Sequence, residues 1–228
     1  MLISRQFDGI FMMSNRYSTE QLRQISDSGI PIVLYKTRDY GELGDNVAAV
    51  VPDLYSGVMK SVNYLVMHGH KRIALLLPMR YRSSGIDSNG YRERAYVHAL
   101  RDNGLEPDDA LIFSNTEASE HFLAYLSDMM IGKSADKRPT AFLAGNDYMA
   151  AEVMKSMKTL GLRIPEDVAV IGTDNTFLTT MLSPALTSID FSKDEFAKKL
   201  TDTMLALIRG ERCEDAFIRV GLAIRESA

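Results

Sequence analysis

The stretch AFLAGNDYMA, residues 141–150, opens as an apolar strand and stops abruptly at Gly145, Asn146 and Asp147. A second run, VAVIGTDN at 168–175, ends in the same manner, at Gly172, Thr173, Asp174 and Asn175. Turn chemistry is one account of the pair, since Asn and Asp both turn the chain and cap a following helix. The other is that both strand ends face a shared crevice holding something polar. Ligands of parallel α/β sheets bind beyond the carboxyl ends of the strands.

The rest of the chain repeats the pattern of short apolar run and longer helical segment. Strands are expected at 8–13, 30–36, 47–53, 72–78, 110–114, 140–145 and 168–173, and again in LTSIDFS and FIRVGLAIRES. Helices are expected at 19–29, across LYSGVMKSVNYLVMHGH, and at 91–103, 118–131, 147–160 and 193–209. RIALLLP is apolar throughout, as a strand covered on both faces should be. Strands alternating with helices of this length imply parallel, doubly wound sheets, an α/β fold. Gly, Ser, Asp and Lys gather at 37–46, 79–90 and 132–139, the expected soft segments.

Composition narrows the function. The 228 residues carry a formal net charge of −4, 46% hydrophobic and 25% charged residues. Basic residues are scattered, without the Lys/Arg patch of a nucleic-acid surface. The single cysteine, Cys213, excludes a disulfide within the chain and fits a reducing cytoplasm. The start lacks a secretion-signal layout, and no apolar stretch approaches the roughly 20 residues of a membrane span. No phosphate loop, serine elbow, two-histidine metal spacing or glycosidase-like carboxylate pair stands out, so no enzyme, cofactor or metal is expected.

Three stretches carry a family likeness: VVPDLYSGVMKSVNYLVMHGHKRIALL, YRERAYVHALRDNGL, and GNDYMAAEVMKSMKTLGLRIPEDVAVIGTDN followed by LSPALTSIDFS. In this order they cover nearly the whole chain. They resemble the effector-binding region of the lactose-repressor/galactose-repressor family of bacterial transcription regulators. The resemblance implies a two-lobed fold like that of periplasmic binding proteins, with a small-molecule effector, a sugar or sugar derivative, in the inter-lobe cleft. It also implies a cytoplasmic homodimer with no membrane association. Its crossovers fall near Val51–Asp53, Ile189–Phe191 and Arg219–Val220. The lobes are then 1–51 plus 191–219, and 52–190 plus 220–228. The rival of the same shape is a transport-linked sugar-binding protein.

Two departures from the family follow. The chain starts at LISRQFDGIFMM, which resembles a segment past the DNA-binding headpiece, the hinge and the first strand–helix–strand unit. By that likeness the amino-terminal lobe is truncated, its sheet edge is unpaired, and DNA is a partner only through a headpiece absent from this chain. The position after PIVLY, often an aspartate in the family, is Lys36. There an ammonium donor replaces an acceptor. It either draws an anionic group into the cleft or points to solvent.

By the same likeness Arg92 anchors effector hydroxyls or carboxylates, for which a rigid fork of five donors is suited. The alternative is a surface arginine opening a helix. Asn146 is read as ligand-facing, offering donor and acceptor to adjacent hydroxyls, with Asp147 as the helix cap. Asp174 accepts hydroxyls at the next strand end or merely shapes a turn. Tyr35 and Phe191 offer ring faces to a sugar or belong to the core. His68 and His70 close a helix. The methionines of MAAEVMKSMKTLG form core or dimer contact.

Overall fold

A computed structural model of the chain describes residues 7–14, 17–35, 40–77, 88–113 and 119–228. In chain order the elements are β1 (Ile10–Met12), α1 (Thr19–Ser26), β2 (Ile32–Tyr35), β3 (Val47–Pro52), α2 (Leu54–Met67) and β4 (Ile73–Leu76). Next come α3 (Ser88–Asp102), β5 (Ile112–Phe113), α4 (Ser119–Ser127), β6 (Ala141–Ala144), α5 (Asp147–Thr159) and β7 (Ala169–Thr173). Last are α6 (Leu178–Met181), β8 (Thr187–Phe191), α7 (Lys193–Ile208), β9 (Ala216–Ile218) and β10 (Val220–Ala223).

The described residues pack as two units. One takes those up to Asp53, Ser88 and Phe191–Arg219; the other takes the described residues within Leu54–Arg80 and Asn89–Asp190, and Val220–Ala228.

The first unit holds a sheet in the order β1-β2-β3-β9, each neighbouring pair parallel. α1 starts with a capping box: Ser18 Oγ accepts from the Gln21 amide, and Gln21 Oε1 accepts from the Ser18 amide. Reciprocal bonds of this kind satisfy two donors that the first turn otherwise leaves open. Leu22 and Ile25 of α1 pack with Ile32, Leu34 and Ala49 on one face of the sheet. Met204 and Leu207 of α7 cover Val33, Ala48, Val50 and Ile218 on the other. Alternate strand residues thus serve opposite faces. β1, three residues long, pairs only with β2 among the described strands.

The second unit holds six strands in the order β10-β8-β7-β6-β4-β5. The pairs from β8 to β5 are parallel. β4 and β6 are buried at every position, which accounts for their unbroken apolar sequence. Phe142, Val153, Met157 and Val170 lie in its main core cluster. Met149, Met154 and Met157 of α5 are buried there too, so the methionine stripe is core. His68 Nδ1 lies 2.8 Å from the Tyr64 carbonyl at the end of α2, as a helix-closing side chain should. His70 closes the helix through its backbone amide, which donates to the Leu65 carbonyl at 3.0 Å, and not through its ring. Its Nδ1 meets Thr140 Oγ1 at 3.0 Å.

Boundaries shift where local chemistry competes. The segment expected as one helix to 131 leaves the α form after Ser127 and widens into a π turn over Asp128–Gly132, with Met129 and Met130 buried. Strand 110–114 shortens to Ile112–Phe113 because Asp108 caps a 3₁₀ turn at Asp109–Leu111, its side chain accepting from the Ala110 amide.

Candidate functional site

In a doubly wound sheet the ligand position is where the strand order reverses. From β4 the chain moves outward to β5, but the next strand, β6, lies on the opposite side of β4. The reversal therefore falls between β4 and β6. Asn146 lies just past the carboxyl end of β6. In the β6–β7 ladder Leu143 pairs with Ile171. Asn146 and Asp174 each lie three residues further, so both leave the sheet at one level, on strands that run about 4.8 Å apart.

Arg92 rides on α3, the crossover helix after β4. Its side chain shares a helix face with Ala95, Tyr96 and Ala99, three, four and seven residues on, all fully buried. Only 8% of Arg92 is exposed. The surface alternative does not hold for it. It does hold for Arg94, which is exposed and lies 4.9 Å above the Tyr91 ring. α3 is anchored by Tyr96, whose hydroxyl donates to the Ile73 carbonyl at 2.6 Å. Burial pushes that phenol well above its usual range, the nearby Asp108 charge adding to the effect.

The cap is Asn146, not Asp147 as the sequence reading expects. Asn146 is the N-cap of α5, its Oδ1 accepting from the Met149 amide at 2.8 Å. The cap uses only that oxygen, and the two carboxamide hydrogens take no part in it. Asp147 is not the cap. It is fully buried, and its carboxylate accepts from Ser188 Oγ at 2.7 Å, the Thr176 amide at 2.6 Å and Thr176 Oγ1 at 2.9 Å. Asn146 has the extended backbone of a residue just before the helix (φ −159°), while Asp147 is already inside the first turn and bonds Ser188 of the sheet.

Asp174 and Asn175 have φ of 99° and 44°. Non-glycine residues in this region cost on the order of 1–3 kcal/mol each and persist only where their surroundings fix them. Here the surroundings are polar. The Asp174 amide donates to the Ile189 carbonyl at 3.0 Å, and the Asn175 amide donates to Ser188 Oγ at 3.0 Å. Arg225 Nη2 donates to Asn175 Oδ1 at 2.7 Å, and its Nη1 to the Leu186 carbonyl at 2.7 Å. Sequence reading missed Ser188, Thr176 and Arg225. Their only signal is polarity in otherwise apolar strand-end segments.

Gly172 lets this network close. A Cβ there would press on Asp147 Oδ1 and come within 2.9 Å of Leu186 Cδ2. Gly172→Ala is expected to lower stability by about 1–3 kcal/mol, the usual cost of overpacking. Urea unfolding checks this, and an unchanged midpoint would contradict the packing described.

In the first unit, Tyr35 and Phe191 both meet Phe196 of α7 edge-on, with ring centroids 5.5 and 5.4 Å away. Phe196, not singled out in the sequence, thus joins the two rings into one aromatic group. Lys193 Nζ lies 5.8 Å from the Phe191 centroid. Lys36 falls outside the described residues. Among the described residues no cluster of His, Cys, Asp and Glu is placed to hold a metal, and no helix is long and apolar enough to cross a membrane.

Residues 62–228 match the model of the periplasmic binding protein-like domain family. The chain is 31% identical over 214 residues to the HTH-type transcriptional repressor PurR of Vibrio atlanticus, covering 92% of this chain and 60% of that protein. To the catabolite control protein A of Priestia megaterium it is 28% identical over 191 residues, covering 82% of this chain and 54% of that one. Among solved structures it is similar to a LacI-family regulatory protein from Chloroflexus aggregans, with a TM-score of 0.81, 26% identity, and coverage of 96% and 76%. A transcriptional regulator CelR–cellobiose complex matches over all of this chain and 68% of that chain, with a TM-score of 0.84 and 23% identity. The chain spans 54–60% of the length of the catabolite control protein A and PurR relatives.

Proposed function

Because the chain belongs to the periplasmic binding protein-like domain family, we propose that it is the effector-sensing and dimerising domain of a bacterial transcription regulator of the lactose-repressor/galactose-repressor type. Its effector is a sugar or sugar derivative, and its place of action is the cytoplasm. The observation that carries this reading is the level placement of Asn146 and Asp174 beyond the strand reversal, together with a buried arginine on the crossover helix. Carboxylate acceptor, carboxamide donor and guanidinium fork are the groups that vicinal hydroxyls need. Tyr35 and Phe191 are the proposed ring faces for the sugar, and Lys36 remains a proposed partner for an anionic substituent. The relative named as a transcriptional repressor favours this reading over a transport-linked one.

The mechanism is linkage. A sugar that binds one conformation of the domain more tightly than another shifts the population between them, and the DNA affinity of an attached headpiece shifts by the same coupling. Catalysis has no part in it. Isothermal calorimetry against a panel of aldoses, ketoses, disaccharides including cellobiose, and sugar phosphates tests the reading. At least one panel member should bind, and Asp174→Ala should weaken that binding. A panel without any binder, or binding untouched by Asp174→Ala, would sink it.

For the homodimer the proposed surface is an apolar patch on the second unit. Tyr148, Phe177, Met181 and Ile224 are 70%, 79%, 67% and 58% exposed. Three of them flank one hydrogen-bonded network: Tyr148 and Phe177 adjoin the bonded Asp147 and Thr176, and Ile224 adjoins Arg225; Met181 ends α6. Exposed aromatic and aliphatic side chains grouped in this way mark association surfaces. Phe177→Asp is expected to raise the dimer dissociation constant about thirtyfold or more, the loss of one anchor of about 2 kcal/mol. Sedimentation equilibrium reads it, and an unchanged constant would move the contact elsewhere.

A further inference from the structure

Three consecutive amides, those of Asp174, Asn175 and Thr176, are each given a fixed acceptor. The first donates to the Ile189 carbonyl, the second to Ser188 Oγ and the third to Asp147 Oδ2. Two of these three bonds trace back to Asp147. It takes the Thr176 amide directly, and it accepts the hydroxyl hydrogen of Ser188, leaving the lone pairs of that hydroxyl for Asn175. A fully buried carboxylate is costly unless donors surround it. Its donors come from the turn and from β8, not from the helix it belongs to. From the other side, Arg225 grips the Asn175 side chain.

We infer that Asp147 is a positioning residue for ligand binding: through Thr176 and the Ser188 relay it locks the positive-φ turn at 174–175 and so aims the Asp174 carboxylate at the position level with Asn146. The inference rests on the sugar-binding reading above and adds to it a residue that never touches the sugar. Two features separate this from plain core packing. An apolar residue would fill a fully buried site beside Gly172 and Leu186 without a charge to satisfy. Moreover, each bond to Asp147 ends on the turn itself or on the one hydroxyl that holds it. The turn is then a rigid presenter of its carboxylate, ready before the ligand arrives, which spares the ordering cost of a loose loop.

Asp147→Asn tests this with the smallest change of shape. The amide keeps one oxygen and loses the charge: facing Thr176 its NH2 meets a donor, and facing Ser188 it turns that hydroxyl from donor to acceptor, so the charge-assisted hold on the turn weakens in either setting. In the whole chain, hydrogen exchange followed by NMR should speed up about tenfold or more at the Asn175 and Thr176 amides. The amides of Leu143 and Ile171, in the strands beneath, should keep their rates. Calorimetry with the panel sugar that binds the wild type most tightly should show about thirtyfold weaker binding. In an Asp174→Ala background the same change should cost less than about twofold, because the aimed group is already gone. If Asp147→Asn does not fold, Ser188→Ala cuts the relay alone, and its exchange effect should be confined to Asn175. Unchanged exchange at both amides overturns the inference, as does a double-mutant cycle that is purely additive. A wild type that binds no panel sugar instead defeats the binding reading, and the aiming role with it, even where the turn has loosened.

Discussion

Replacing Arg92 with alanine should weaken sugar binding about a hundredfold or more. Hydrogen bonds to a charged donor contribute about 1.5–3 kcal/mol each, and a guanidinium that engages two hydroxyls loses both at once. Each 1.4 kcal/mol is a tenfold change in affinity. Arg92→Lys should not rescue it, because an ammonium cannot reproduce the planar fork. Its burial on the inner face of α3, beside Ala95 and Tyr96, means that the change also removes packing. Melting temperature is therefore to be measured with calorimetric affinity. A loss of affinity that vanishes once the variant is shown to be fully folded, or an affinity within threefold of wild type, would remove Arg92 from the site.

Phe142→Ala should destabilise the second unit by about 3–5 kcal/mol, the range for emptying a buried aromatic site. Phe142 is fully buried in β6, between the central strands β4 and β7, and its cluster includes Leu76, Phe122, Val153 and Met157. So many neighbours on fixed elements cannot all collapse into the gap, so the cavity cost persists. Against a typical total of 5–15 kcal/mol, that loss is a large share. Urea unfolding with a tryptophan-free chain is best followed by circular dichroism. A change below about 1 kcal/mol would mean that β6 does not occupy the centre of its sheet.

Much of this fold could be read from residue order because the central strands β4, β6 and β7 are buried on both faces, and β6 and β7 run straight into turn residues. The strand at 168–173 and the helices at 147–160 and 193–209 lie within a residue of Ala169–Thr173, Asp147–Thr159 and Lys193–Ile208. What misled was local: the wider turn at Asp128–Gly132 and the cap at Asp108 both obey nearby side chains rather than the hydrophobic period. The candidate site was legible at its strand ends, and Asn146 and Asp174 do lie level with each other. Which of Asn146 and Asp147 caps α5 was not legible, since either residue can cap. Neither was the hold on the turn. Ser188 lies 41 residues from Asp147, and Arg225 lies 50 from Asn175, distances over which no period carries information.

One bond pattern bears on how the protein is made. Ser227 is fully buried. Its hydroxyl donates to the Val170 carbonyl at 2.6 Å and accepts from the Thr187 amide at 2.8 Å, while its own carbonyl takes the Val170 amide at 2.8 Å. A rung at the middle of β7 thus waits for a residue 57 positions later, with α7 and β9 of the other unit emerging in between. On the ribosome, the sheet of the second unit stays open at that rung long after β4 to β8 have appeared. Nascent chains stalled before 220 should therefore be recognised by chaperones that capture unpaired β-edges, and released only when the last segment slots home.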